Sequence, residues 1–122
     1  MYRILLIEDN EISRLLMTEY LQYCGWEILS LRDGKAFQAT MQQFQPHLIV
    51  LDLKLPFVDG FTLLAQVQQT PEWLSIPIVV VSAFAFQADQ QRAMSLGARR
   101  YLVKPVKPLL LSQVISEELS LV

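Results

Sequence analysis

Five short apolar runs, each followed by a segment of helical period, constrain this chain more than any other feature. The runs are RILLI (3–7), WEILSL (26–31), HLIVL (47–51), IVVVS (78–82) and RYLV (100–103). Several are apolar on successive residues, as strands are when both faces of a parallel sheet are covered. Segment 11–23 places Ile12, Leu15, Leu16 and Tyr20 on one helical face, 35–44 places Phe37, Met41 and Phe44, and 60–69 places Phe61, Leu64 and Val67. Segment 87–96 is weaker, with Ala88 and Met94 set among glutamines, and 109–119 carries Leu110, Leu111, Val114, Ile115 and Leu119. Strict alternation predicts an α/β fold: a doubly wound, five-stranded parallel sheet with helices on both faces. Right-handed crossovers leave few topologies.

A chain of 122 residues, 52% of them hydrophobic, can bury a core without staples, so one domain over 1–122 is expected. It stops directly after the fifth helical segment, so no output domain is expected within these residues, and a stand-alone domain and a piece of a longer protein both stay open. The single cysteine, Cys24, cannot form an internal disulfide, which points to a reducing compartment; it reads as a small apolar filler near a helix end. The start, MYRILLIEDN, is too short in apolar residues for a signal peptide. No run approaches the roughly 20 apolar residues of a membrane span, so a cytoplasmic protein is expected. With net charge −2 and no long basic cluster, direct nucleic-acid binding is not expected. Arg99-Arg100 reads as a solvated strand edge.

In such sheets ligands bind outside the carboxyl ends of the strands. The first strand ends in Glu8-Asp9, the third in Asp52, the fourth in Ser82 and the fifth in Lys104-Pro105. The second ends in nothing comparable and should lie at the sheet edge. Three acids, a hydroxyl and an amine therefore meet on one rim. Two carboxylates about 5 Å apart repel by roughly 3 kcal/mol at an effective dielectric near 20, so three need a cation or raised pKa values. Hard oxygen ligands suit Mg²⁺, which often shares a phosphoryl oxygen. Lys104 can neutralise such an oxygen, Ser82 can donate to another, and a carboxylate beside them is a plausible nucleophile toward phosphorus.

The ordered motifs LLIEDN, LIVLDLKLPFVDG, VVVSA and GARRYLVKP resemble the receiver domain of two-component response regulators over essentially the whole chain. The resemblance implies the flavodoxin-like strand order 2-1-3-4-5. It implies that Asp52 is the phosphoacceptor, that Asp9, Asp52 and the Lys54 backbone carbonyl ligate Mg²⁺, and that Glu8 acts through a water on the metal. Ser82 and Lys104 would bind phosphoryl oxygens, and Tyr101 matches the aromatic whose rotamer follows the switch. The Lys104-Pro105 bond matches one that is cis in the family. Asp59-Gly60 matches the turn opening the third helix, where glycine tolerates positive φ. The implied donor is a histidine kinase or histidine phosphotransfer protein. The implied output is a downstream protein or a homodimer through the fourth helix, fifth strand and fifth helix, with the FAF run (84–86) and Leu109 as a candidate contact patch.

Plainer roles account for other residues. N-capping explains one of Asp9 and Asn10. His47, the only histidine, starts a strand away from the rim and reads as structural, while Trp26 and Trp73 read as packing. Lys54 and Phe84 stand two residues after Asp52 and Ser82, where a long amine and a bulky ring can hinder an in-line water, so slow self-dephosphorylation is expected. A dehalogenase-type phosphohydrolase is the competing class, but it needs a second acid where this chain has Lys54. The reading is a signalling domain that assists only its own phosphorylation and dephosphorylation. A flavin site lacks the phosphate-binding loop after the first strand, and a receiver that never uses phosphate has no reason to keep three repelling acids.

Overall fold

The computed structural model describes residues 1–120. Strands β1 (Arg3–Ile7), β2 (Glu27–Leu31), β3 (Leu48–Leu51), β4 (Ile78–Ser82) and β5 (Arg100–Val103) form one parallel sheet in the order 2-1-3-4-5. They alternate with α1 (Glu11–Tyr23), α2 (Phe37–Phe44), α3 (Gly60–Gln68), α4 (Gln87–Ser95) and α5 (Pro108–Leu119). A short 3₁₀ turn at Pro71–Trp73, which the periodicity does not announce, follows α3.

Side chains on a strand point to opposite faces in turn, and here both faces are apolar. Leu5, Ile7, Ile49, Leu51 and Val80 pack against Phe37 and Met41 of α2, Leu63, Leu64 and Val67 of α3, and Ala93 of α4. Ile4, Leu6, Val50, Val79 and Val81 pack against Leu21 of α1 and Leu111, Val114, Ile115 and Leu119 of α5. That is why the central strands read as unbroken apolar runs.

Several helical faces differ from their sequence patterns. On α1, Ile12, Leu15 and Leu16 are 71%, 57% and 60% exposed, and the buried residue is Leu21. On α4 the buried residue is Ala93, not Ala88 or Met94, because a segment composed mostly of polar residues offers the sheet only one small apolar side chain on the face that meets it. Leu110 on α5 is exposed as well. Cys24 is no filler: it is the exposed C-cap of α1, followed by Gly25 at φ +99, the left-handed residue that ends the helix. Arg99 and Arg100 are not merely solvated. Both reach the buried Glu118 of α5, at 3.4 Å each, and Arg100 also pairs with Glu117 at 3.1 Å. Trp26 and Trp73 pack at the margins of the two core layers, as expected, and Trp73 lies edge-on to Phe37.

Candidate functional site

The turn after β1 builds the acidic edge. Asn10 is the cap of α1, its Oδ1 accepting from Ser13 N at 2.9 Å, so Asp9 is released from any capping role. Glu8 is buried, its N–H bound to the Leu31 carbonyl of β2, and its Oε2 accepts from Asn10 N at 3.1 Å. Asp9 is exposed, with a carboxylate oxygen facing those of Glu8 and Asp52.

Asp52 continues β3 by one residue, its N–H donating to Ile7 O at 3.0 Å, and it is 5% exposed. The chain then turns back under Asp59, whose Oδ1 caps α3 at Thr62 N. Gly60 is required here by a close approach and not, as expected, by positive φ. A Cβ at that position would stand 2.6 Å from both Asp52 O and Leu53 Cα. The left-handed residue of this loop is Phe57, at φ 68, with Lys35 Nζ 3.6 Å from its ring centre.

Oxygens of Glu8, Asp9 and Asp52 lie within 4.8 Å of one another. The Lys104 ammonium bridges two of these acids, donating to Glu8 Oε1 and, at 3.0 Å, to Asp52 Oδ2. The other Asp52 oxygen, Oδ1, accepts from Lys54 N at 3.2 Å. Burial raises the Glu8 carboxyl above its usual range, against the lowering pull of its bonds from Lys104 and Asn10; the Asp52 charge raises it further. Burial pulls the Lys104 ammonium down, but its bonds to Glu8 and Asp52 and their charges outweigh that, so its pKa is raised and it stays a cation. Among the described residues one cation is thus paired within a cluster of three acids. A small hard divalent ion suits the remaining excess of negative oxygen.

Ser82, fully buried at the end of β4, accepts from Phe84 N at 3.2 Å and passes its carbonyl to Lys104 N at 2.8 Å. Tyr101 on β5 donates its hydroxyl to Phe84 O at 2.7 Å, so Ser82 and Tyr101 meet through one peptide segment. Burial raises the Tyr101 phenol, which keeps it a donor. The Lys104-Pro105 bond is cis. Phe84 packs against the core, which leaves Phe86, 78% exposed, as the aromatic of the expected FAF patch; Leu109 is exposed as expected.

The structure brings Glu8, Asp9, Asp52, Ser82, Lys54 and Lys104 to the carboxyl rim and puts Tyr101 one shell behind them. His47 lies at the opposite rim. One neighbour of the site escaped the sequence reading: Arg14, on the first turn of α1, donates through Nη1 to Glu8 O at 3.0 Å. The available signal was a basic residue four positions after an Asn cap.

The response regulator receiver domain description matches residues 4–116, and the chain belongs to that family. Curated relatives include the polar-differentiation response regulator DivK of Brucella anthropi and of Brucella ovis, each 29% identical over 103 residues, 84% of this chain and 84% of the relative. Among solved structures, a response regulator from Chloroflexus aurantiacus shares the fold at TM-score 0.92 with 24% identity, covering 98% of both chains. The receiver domain of a sensor histidine kinase from Pseudomonas aeruginosa, solved with a magnesium ion coordinated in its active site cleft, shares it at TM-score 0.89, 24% identity and 98% of both chains. This is a receiver domain of two-component signalling. No helix among the described residues is long and apolar enough to cross a membrane.

Proposed function

We propose that the single domain accepts a phosphoryl group on Asp52 from a phosphohistidine of a histidine kinase or histidine phosphotransfer protein in the cytoplasm, with Mg²⁺ as cofactor. The observation that carries this is the Lys104 bridge to Glu8 and Asp52 inside a cluster of three acids, two of them buried. Such a cluster lowers fold stability unless a ligand uses it. Asp9, Asp52 and the Lys54 carbonyl would hold the ion, with Glu8 beside them, and the ion supplies charge neutralisation at phosphorus. The Pseudomonas structure supports that assignment by analogy of fold.

An Asp52 carboxylate oxygen forms the new P–O bond as the P–N bond to the donor imidazole breaks, and the imidazole leaves with its electron pair. Lys104 stays within reach of the phosphoryl oxygens. Ser82 Oγ, now held by Phe84 N, turns to donate to one of them, which loosens the segment that Tyr101 holds. A full reversal of a two-state switch from 1:99 to 99:1 needs about 5.5 kcal/mol, and charge-assisted hydrogen bonds to a dianion are the strong kind. Ile12, Leu15 and Leu16 give an incoming donor an apolar landing next to Asp9. The face of α4, β5 and α5, with Phe86 and Leu109 exposed, is the side offered to a downstream protein or a second copy.

Incubating the domain with a small phosphodonor and Mg²⁺ should give a hydroxylamine-labile adduct that maps to Asp52 and is absent from Asp52→Asn. An adduct elsewhere, or none on folded protein, overturns the reading. The lifetime of the adduct should shorten in Lys54→Asn and Phe84→Glu and shorten most in the double variant; an unchanged lifetime removes the proposal of slow self-dephosphorylation.

A further inference from the structure

Arg14 occupies an odd position for a cation. It is half-buried on α1 and reaches the turn that carries Glu8 and Asp9, yet it makes no ion pair within 4.0 Å among the described residues. Its Nη1 donates to a neutral acceptor, the Glu8 carbonyl, at 3.0 Å. That carbonyl belongs to the peptide unit that leads into Asp9. The next peptide unit is held from its other end, because Asn10 N donates to Glu8 Oε2 at 3.1 Å. Asn10 is in turn anchored to α1 by its side chain at Ser13 N, and its carbonyl accepts from Arg14 N at 2.9 Å.

Both peptide units flanking Asp9 are therefore clamped, and its carboxylate accepts no hydrogen bond from protein among the described residues. We propose that Arg14 is a positioning residue for the metal seat: by holding the Glu8–Asp9 peptide it aims the Asp9 carboxylate at the cluster, and by pairing with no carboxylate it leaves the oxygens open. The inference rests on the Mg²⁺ reading above. An arginine is suited to the task because its planar donor fork holds a direction on a carbonyl, while a lysine gives only a pivoting point charge. Outer-shell partners of this kind commonly carry 10–100-fold in metal affinity.

The test is Mg²⁺ titration by calorimetry without any phosphodonor, alongside Asp52 labelling by a small phosphodonor over a range of Mg²⁺. Arg14→Ala should weaken Mg²⁺ binding about tenfold, and its labelling rate should return to the wild-type value once Mg²⁺ saturates. Arg14→Lys should recover part of the loss, leaving about a threefold deficit. If Arg14→Ala does not fold, Arg14→Lys carries the test. Wild-type Mg²⁺ affinity in the folded variant overturns the inference, and so does a labelling deficit that persists at saturating Mg²⁺. A defect seen only with a protein phosphohistidine donor also overturns it, because it assigns Arg14 to partner contact. Wild-type protein that binds no Mg²⁺ overturns the metal reading itself, and the inference with it.

Discussion

The two rims of one sheet are built from the same strands and have opposite characters. At the amino rim, Arg3 of β1 donates Nε to the carbonyls of Phe44 and Gln45 at 2.9 and 3.0 Å, and its backbone N–H donates to His47 Nδ1 at 2.9 Å. His47 N returns a bond to Arg3 O at 2.7 Å, and Tyr2 lies edge-on to the imidazole at 5.2 Å. Each of these donors has a neutral acceptor. At the carboxyl rim, Lys104 is, among the described residues, the one cation paired with the carboxylates of the three acids, two of which are buried. The difference teaches where this chain keeps unresolved conflict: satisfied polar groups hold an edge together, and crowded like charges wait for a ligand. Cavity size points the wrong way. The large groove of about 990 Å³ lies toward the amino rim, lined by glutamine amides and Trp73, with none of the acids of the site.

The comparison breaks if the amino rim proves dispensable. Arg3→Ala removes two charge-assisted bonds that tie the end of α2 to β1, and should cost about 2 kcal/mol, roughly 10 °C in Tm. Its labelling rate on Asp52 should be unchanged, as a thermal melt and a labelling time course would show. Next in size is the carboxyl rim. Asp52→Asn removes one of three like charges and keeps the shape, so the melt should move by less than about 1 kcal/mol, in either direction. A fall near 3 kcal/mol would mean that the Lys104–Asp52 pair holds the fold, and the contrast between the rims would be lost.

The smallest effect is the titration of His47. Burial first, then the positive charges of Arg3 and the amino terminus, hold its imidazole below the usual 6.5. Only the neutral ring can accept from Arg3 N. The folded pKa is depressed, so this group's contribution is full above the unfolded value and is lost as pH falls through the folded one. The NMR shifts of this one imidazole should report a midpoint under 6.5, and His47→Gln should flatten the change in Tm on acidification below that pH. A midpoint above 6.5 would refute the reading of His47 as a satisfied structural group.

Much of this was legible in the chain. The apolar runs of β1, β3 and β4 announced strands covered on both faces, and the polar residues closing four strands fell on one rim once the topology was fixed. Asn10 and Asp9 could not be told apart by type, since either side chain can cap a helix; the backbone bond from Ser13 N decided for Asn10. Gly60 was legible as a special position but not for its true reason, because a close approach to Asp52 and Leu53 exists only after β3 and α3 are packed.

By itself the sequence determined the order of strands and helices, their apolar faces, and the residue types at the strand ends, since all of these depend on local period and spacing. Only the tertiary structure decided which faces found a cover. Ile12, Leu15 and Leu16 stayed exposed on α1, Ala93 was seated in place of Met94, Arg99 and Arg100 met Glu118, and Arg14 reached Glu8 O. Periodicity reports the direction of a side chain on its own element, whereas burial and pairing depend on what another element, distant in sequence, places opposite it.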